Sequence, residues 1–234
     1  MIPYQNINVN ICLVGQRELK KKILMFYYHY INNGNGPKKL FISGVHGGEG
    51  ESSFYFIKNL KKEDFYKGQI YIINFDKSKY ISTLKKEFYE TKIGKKIIYL
   101  IENIKPDFYT EFHCYDINNF ENLTSKDRMG SEGVPPLIHI GNFILVSSVS
   151  PYIRMNYLEK ETVCKTLEFP CFNKINDNFN LNDSIKTYKD FIKMIAISTS
   201  RKSFNDKMKN KYPTEYDLAI KYTKEIFGGN FLPF

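Results

Sequence analysis

Two histidines and two glutamates in this chain carry side chains that could perform chemistry together. His46 and Glu49 lie in the glycine-rich stretch GVHGGEGESS, His113 lies in TEFHCYD, and Glu168 lies in TVCKTLEFP. Imidazole and carboxylate groups are usual ligands of zinc in proteins. A second carboxylate close to such an ion can act as a general base toward water. These residue types predict a zinc site formed by His46, Glu49 and His113, with Glu168 as its base.

The same glycine-rich stretch must be compared with the loops that bind phosphate. A Walker A loop has the pattern GxxxxGK[ST], in which the lysine reaches the phosphates. The sixth residue counted from Gly44 is Glu49, and Glu51 stands after Gly50 where the lysine belongs. A glutamate at that place would repel a polyphosphate, and the dinucleotide pattern GxGxxG does not fit either. The stretch is therefore interpreted as a metal-binding turn.

The predicted elements place the four residues at one edge of a sheet. Strands are predicted at 39–44, 68–76, 107–116 and 162–170, with helices at 50–62 and 94–106 between them. His46 follows the first of these strands, while His113 and Glu168 lie near the ends of the last two. Sites in parallel sheets form at the carboxyl ends of the strands. We therefore expect these side chains to converge, although an HxxE pair alone is a weak signal.

The remaining segments complete an α/β pattern. Helices are predicted at 16–32, 79–90, 184–199 and 213–227, one or two strands within 137–151, and a long polar loop at 117–136. Strands alternating with helices are typical of a sheet covered on both faces. The prediction is a single domain over residues 1–234, a three-layer α/β/α sandwich with a mixed, mostly parallel central sheet.

Composition restricts the classes of partner. The chain has 234 residues, 42% of them hydrophobic, and a formal net charge of +9. The lysines are dispersed, mostly in pairs, which favours a solvated surface over a nucleic-acid-binding stripe. The longest apolar runs are too short for a membrane span. The four cysteines form no CxxC pair, so a zinc ribbon is not expected, and free thiols in a reducing cytoplasm are the expectation.

The order of the motifs resembles the zinc carboxypeptidase superfamily. It is most similar to the aspartoacylase and succinylglutamate desuccinylase branch, in which the motifs GxHGxE, DxH and TLE follow one another. Here Gly44–Glu49 reads GVHGGE, Glu111–His113 reads EFH, and Thr166–Glu168 reads TLE. The resemblance covers roughly residues 39–170, and it extends to a poorly characterised, methanogen-associated archaeal branch of the superfamily.

The resemblance implies a carboxypeptidase-like fold and hydrolysis of an amide bond with zinc as cofactor. It implies His46, Glu49 and His113 as ligands. Glu168 would take a proton from water and pass it to the leaving amine. The implied substrate is a small molecule such as an N-acyl amino acid, or a short peptide.

This chain departs from the resembled pattern in its substrate-binding residues. Asn74 matches an asparagine of the pattern, but the arginines expected after it are missing. Lys85 or Lys86 is a weak replacement because an ammonium lacks the planar fork of a guanidinium. Arg154, in SPYIRMN, is an alternative anchor for the substrate.

Two other readings stay open on the sequence. A catalytically inactive module could bind a metal or a small ligand with the same fold. A nucleic-acid-associated protein would use the positive charge and the many tyrosines and phenylalanines, and this reading is disfavoured. Neither a nucleic-acid partner nor a membrane is expected, and the apolar tail at 226–234 leaves a homo-oligomer open.

Overall fold

A computed structural model describes residues 26–75, 77–175, 179–229 and 232–234 of the chain. Within these residues one sheet contains β1 (Phe26–Asn33), β2 (Lys38–Ser43), β3 (Gly68–Phe75), β4 (Phe108–Tyr115), β5 (Ile138–His139), β6 (Leu145–Ser147) and β7 (Val163–Pro170). Across the sheet, the order is β1-β3-β2-β4-β7-β6-β5. Strands β3, β2, β4 and β7 are parallel, while β1, β6 and β5 each pair antiparallel with a neighbour. The expected α/β fold with a mixed sheet is confirmed.

Helices lie between and after the strands. They are α1 (Glu49–Ile57), α2 (Lys86–Glu90), α3 (Lys92–Ile104), α4 (Phe120–Thr124), α5 (Arg128–Ser131), α6 (Pro151–Asn156), α7 (Leu181–Ile197), α8 (Arg201–Lys211) and α9 (Pro213–Phe227). None of these helices has the length and apolar character needed to cross a bilayer, a finding limited to the described residues.

Each face of the sheet is covered by its own hydrophobic cluster. Because side chains alternate along a strand, Phe41 of β2 joins a cluster with α1, α7, α8 and α9. Its neighbours Leu40 and Ile42 join a second cluster with α2, α3 and α6. Every residue of β4 is buried, as expected for a central strand with helices on both faces. This burial holds the ends of the central strands in fixed positions.

The prediction of a helix at 16–32 is wrong for those of its residues that the structure describes. Residues 16–25 lie outside the described part, and residues 26–32 belong to β1, which pairs with β3 from Phe26↔Phe75 onward. The run FYYHYI is aromatic and β-branched, a composition that suits a half-buried strand. Tyr27 and Ile31 contact the cluster that contains Phe41, while Tyr28 and Tyr30 are exposed. That alternation has the period of a strand.

The predicted loop at 117–136 needs correction, whereas the predicted C-terminal helices are confirmed as α7 and α9. The loop contains α4, α5 and a 3-10 turn at Ile117–Asn119. Helix α8 was not predicted, because its sequence RKSFNDKMKNK is polar over most of its surface and buries only Phe204 and Met208. Of the helix predicted at 79–90, only the C-terminal part is an α-helix, and it forms α2.

Two lysines contradict the expectation of a solvated lysine surface. Lys39 and Lys165 are fully buried. The Lys39 ammonium donates hydrogen bonds to the carbonyl oxygens of Ile195 and Ala196, at 2.7 and 2.8 Å, and so caps the end of α7. Burial lowers the pKa of Lys39 to about 7. A charge count from sequence could not show that these two amines lie inside the core.

The expectation of free thiols is wrong for two of the cysteines. Cys114, at the end of β4, and Cys171, just after β7, form a disulfide, with their Cα atoms 4.9 Å apart. Cys164 is free and buried. The Cys171 amide also donates a hydrogen bond to the Tyr115 carbonyl oxygen at 2.9 Å. These bonds join the ends of the two strands that carry His113 and Glu168.

Cys171→Ser is expected to lower the free energy of unfolding by about 4 kcal/mol, because the bond closes a long loop in the unfolded chain. Urea unfolding would measure the loss. A phosphine reductant should lower the stability of the wild type and leave Cys171→Ser unchanged. Equal stability of the two proteins under oxidising conditions would mean that the disulfide does not form.

Candidate metal centre

The turn between β2 and α1 brings His46 and Glu49 to the carboxyl edge of the sheet. Gly44 has a positive φ of 67°, and a Cβ there would collide with the Phe75 carbonyl oxygen. Gly47 also has a positive φ, of 62°. Glycine adopts such angles without steric cost, so the chain can turn sharply at the strand end. Glu49 is then the first residue of α1.

His46, Glu49 and His113 converge, as predicted. One ligand atom from each lies within 4.8 Å of the others. The Glu49 carboxylate bridges the imidazoles: Oε1 lies 3.3 Å from His46 Nδ1, and Oε2 lies 3.0 Å from His113 Nδ1. All three side chains are buried. The structure therefore forms a buried His-Glu-His group that could hold a cation.

The donor atoms of this group fit a metal ion. His46 Nδ1 is buried and, although Glu49 Oε1 lies 3.3 Å away, it makes no hydrogen bond with any described residue, which is uncommon for a buried polar atom. Burial lowers the pKa of His46 to about 4, so the imidazole is neutral and its lone pair is available. Two histidines and one glutamate form the ligand set of several catalytic zinc sites that keep a position open.

A chain of hydrogen bonds behind His113 fixes its ring. His113 Nε2 lies 3.2 Å from Glu111 Oε2, and the Tyr109 hydroxyl donates to Glu111 Oε1 at 2.6 Å. Burial tends to lower the pKa of His113, but the carboxylates of Glu49 and Glu111 outweigh it and raise that pKa well above its ordinary value. With Nε2 donating to Glu111, Nδ1 is the nitrogen that faces Glu49. A bound cation would therefore displace a proton from His113.

Glu111→Gln is expected to weaken zinc binding by about 10- to 100-fold, the usual effect of losing the partner of a ligating histidine. An amide has nearly the shape of the carboxylate but carries no charge to favour the Nε2 proton. Competition with a chromophoric chelator would measure the affinity. Tyr109→Phe removes only the outer hydroxyl and should weaken binding less. Unchanged affinity in Glu111→Gln would contradict the positioning role of this residue.

Glu168 lies beside the ligands and faces the same cavity. It pairs in register with His113 across β4 and β7, and paired residues on adjacent strands point to the same face. Both side chains line a cavity of about 410 Å³, together with His46 and Glu49. The four residues that carry the sequence-based prediction thus share one cavity.

The three predicted substrate-binding residues do not line this cavity. Asn74 is buried, and its Oδ1 accepts a hydrogen bond of 2.6 Å from Ser43. Lys85 is exposed at the start of α2. Arg154 is 3% exposed and donates to the carbonyl oxygens of Glu159 and Lys160, which ties α6 to the loop after it.

Two side chains that the sequence did not indicate line the cavity instead. The ring of Tyr80 packs edge-on against His46 with centroids 4.7 Å apart. Arg128 belongs to α5, within the segment predicted as a loop. No spacing in the sequence indicates either residue, because both come from connections whose path depends on the whole fold.

Comparisons with known proteins agree on an archaeal relationship. Residues 34–228 match the family described as "Uncharacterized protein conserved in archaea (DUF2119)". The chain is 39% identical over 197 residues to "Uncharacterized protein MJ0501" of Methanocaldococcus jannaschii, covering 82% of this chain and 92% of that protein. No solved structure matches the chain. The expectation of an archaeal, uncharacterised relationship is confirmed, and the chain belongs to this family of archaeal proteins.

Proposed function

We propose that this protein is a zinc-dependent hydrolase that cleaves an amide bond in an N-acyl amino acid or a short peptide. The observation that carries the proposal is the convergence of the buried His46, Glu49 and His113 with Glu168 in one cavity. The resemblance to the zinc carboxypeptidase superfamily supports the same reaction and a carboxypeptidase-like fold.

His46, Glu49 and His113 would hold the ion. When bound, zinc lowers the pKa of water and polarises a carbonyl group. The family comparisons do not name a metal, so the choice of zinc depends on the donor set of two imidazoles and one carboxylate.

Glu168 is the residue placed to move the proton. Its carboxylate can accept a proton from the attacking water at one oxygen and then donate it to the leaving amine nitrogen. Burial raises the pKa of Glu168 to about 7; the positive charge of His113 lowers it and Glu49 raises it. A base whose pKa is near neutrality both accepts and releases protons readily.

The size and the lining of the cavity also favour a small substrate. Its volume of about 410 Å³ falls within the range of sites for small ligands. Its lining includes the hydroxyl groups of Ser147, Ser148 and Thr166 and the apolar side chains of Leu123 and Leu137. An amide flanked by one polar and one apolar group suits this mixed lining.

Screening N-acetyl amino acids and dipeptides for release of a free amine tests the function. The proposal expects turnover in the zinc-loaded wild type that disappears in Glu168→Gln. Zinc binding without any Glu168-dependent turnover across a broad panel would favour the catalytically inactive module.

The raised pKa of Glu168 predicts a pH effect on the stability of the metal-free protein. In the folded state the pKa is about 7, against an ordinary value of 4.5, so the folded state holds this proton more tightly. The stabilisation is complete below about pH 4.5 and is lost as pH rises through about 7. Glu168→Gln should therefore gain stability relative to the wild type between pH 5 and pH 8.

Thermal melts of both metal-free proteins at the two pH values would measure this difference. Groups remote from Glu168 titrate alike in the two proteins, so their contributions cancel, whereas the titration of His113 is linked to Glu168 and forms part of the measured difference. A difference in melting temperature that does not change with pH would contradict the raised pKa of Glu168 in this linked site.

A further inference from the structure

One cationic side chain stands out in the wall of the cavity. The chain has 34 lysine and arginine residues, yet Arg128 is the only one of them that lines the cavity among the described residues. The basic character of the protein is therefore not shared by the site. Any attraction of the site for an anionic group, apart from the metal, depends on this one guanidinium.

A hydrogen bond to a neighbouring part of the cavity lining holds the guanidinium of Arg128 in place. Its Nη1 donates a hydrogen bond of 3.2 Å to the Pro135 carbonyl oxygen. The same segment is also held by a bond between backbone groups, in which the Leu137 amide donates to the Leu123 carbonyl oxygen at 2.9 Å. The Arg128 side chain is half-buried, and this single bond leaves other N–H groups of its fork for a ligand.

The charge of Arg128 also reaches the proposed base Glu168. The same charge interacts with Tyr80 and with the exposed Glu132. Tyr80 contacts the ring of the ligand His46. A substrate group bound by Arg128 would therefore lie within the same cavity as the reacting amide.

The charges around Arg128 decide which anion fits. With Glu49 assigned to the metal, Asp116 and Glu168 still line the cavity, so a dianionic phosphate at Arg128 would meet two carboxylates and a single guanidinium. A carboxylate carries one charge and matches the planar fork of arginine with two parallel hydrogen bonds. The apolar side chains of Leu123, Val134 and Leu137 also line the cavity and suit the carbon skeleton of an amino acid.

We propose that Arg128 is the specificity-determining residue of this site and binds a carboxylate of the substrate. This inference rests on the proposed hydrolase function and deepens it: the substrate carries a free carboxylate near the scissile amide. The role that the resemblance led us to expect for Asn74, Lys85 or Arg154 then falls to a residue of α5.

Steady-state kinetics on carboxylate substrates test the assignment. Arg128→Gln should raise KM by about 10- to 100-fold, the usual effect of losing a charge-assisted hydrogen bond, with a smaller change in kcat. Arg128→Lys retains the charge without the planar fork, so its KM should lie between those of Arg128→Gln and the wild type. Lys126→Gln is the matched control, since Lys126 is exposed in the same segment and does not line the cavity. It should behave like the wild type.

A binding experiment separates this inference from the proposed reaction. Zinc-loaded Glu168→Gln would be titrated by calorimetry with N-acetyl amino acids and with the matching C-terminal amides. We expect Glu168→Gln to bind the acids more tightly than the amides. The double variant that also carries Arg128→Gln should lose this preference. That result would support the assignment even without any turnover. A preference for the acids that survives the loss of Arg128 would mean that the carboxylate binds elsewhere, and it would overturn the assignment. Equal binding of acids and amides by Glu168→Gln would overturn the assignment as well.

Discussion

Replacing His113 with alanine is expected to leave the purified protein without bound zinc, whereas the wild type retains about one ion per chain. His113 supplies the ligand nitrogen farthest in sequence from the turn of His46 and Glu49, and its Nδ1 lies 3.0 Å from Glu49. Two remaining ligands hold zinc far more weakly than three. Elemental analysis of protein prepared without a histidine tag, after dialysis, would measure the stoichiometry.

A histidine outside the cluster provides the control for this experiment. His29 lies on β1 and does not line the cavity, so His29→Ala should retain the metal. Circular dichroism would show that His113→Ala keeps its secondary structure. Retention of a full equivalent of zinc by folded His113→Ala would remove His113 from the ligand set.

Glu168→Gln is expected to lower kcat by about 10²- to 10⁴-fold, the usual contribution of general acid–base catalysis. Glutamine has nearly the same shape as glutamate but cannot accept and return a proton. The zinc content should not change, because Glu168 is not one of the three ligands. Steady-state kinetics on any substrate found in the screen, together with elemental analysis, would measure both quantities.

Glu121→Gln provides the matched control. Glu121 is exposed on α4 and does not line the cavity, so the same substitution there should leave kcat unchanged. Full activity in Glu168→Gln would exclude this residue as the base. Loss of zinc from the folded Glu168→Gln protein would instead make Glu168 a ligand.

The sequence predicted the central strands and the convergence of the His-Glu-His group well, and the physical reason is local. β2, β4 and β7 are short segments rich in apolar residues, and they form strands in a buried sheet. His46, His113 and Glu168 lie at or near the ends of these runs. Because parallel strands place their carboxyl ends together, strand position was enough to bring these three side chains to one edge, and Glu49 follows His46 at the start of α1.

The wall of the cavity could not be predicted in this way. Arg128 reaches the cavity only because the connection between β4 and β5 folds back over the sheet, held by contacts such as the bond to Pro135. The Cys114–Cys171 disulfide joins residues 57 positions apart, and cysteine spacing alone did not reveal that β4 and β7 are neighbours. β1 was mistaken for a helix because its aromatic run has no clear period until its pairing with β3 is known.

Locating the ion is the most direct test of the metal centre. A crystal of the protein grown with zinc, with diffraction data collected on both sides of the zinc absorption edge, would reveal the ion by its anomalous signal. We predict one strong peak within coordination distance, about 2.0–2.2 Å, of His46, Glu49 and His113, in the cavity that Glu168 faces. A peak bound by other residues, or no peak among these three side chains at saturating zinc, would contradict the account.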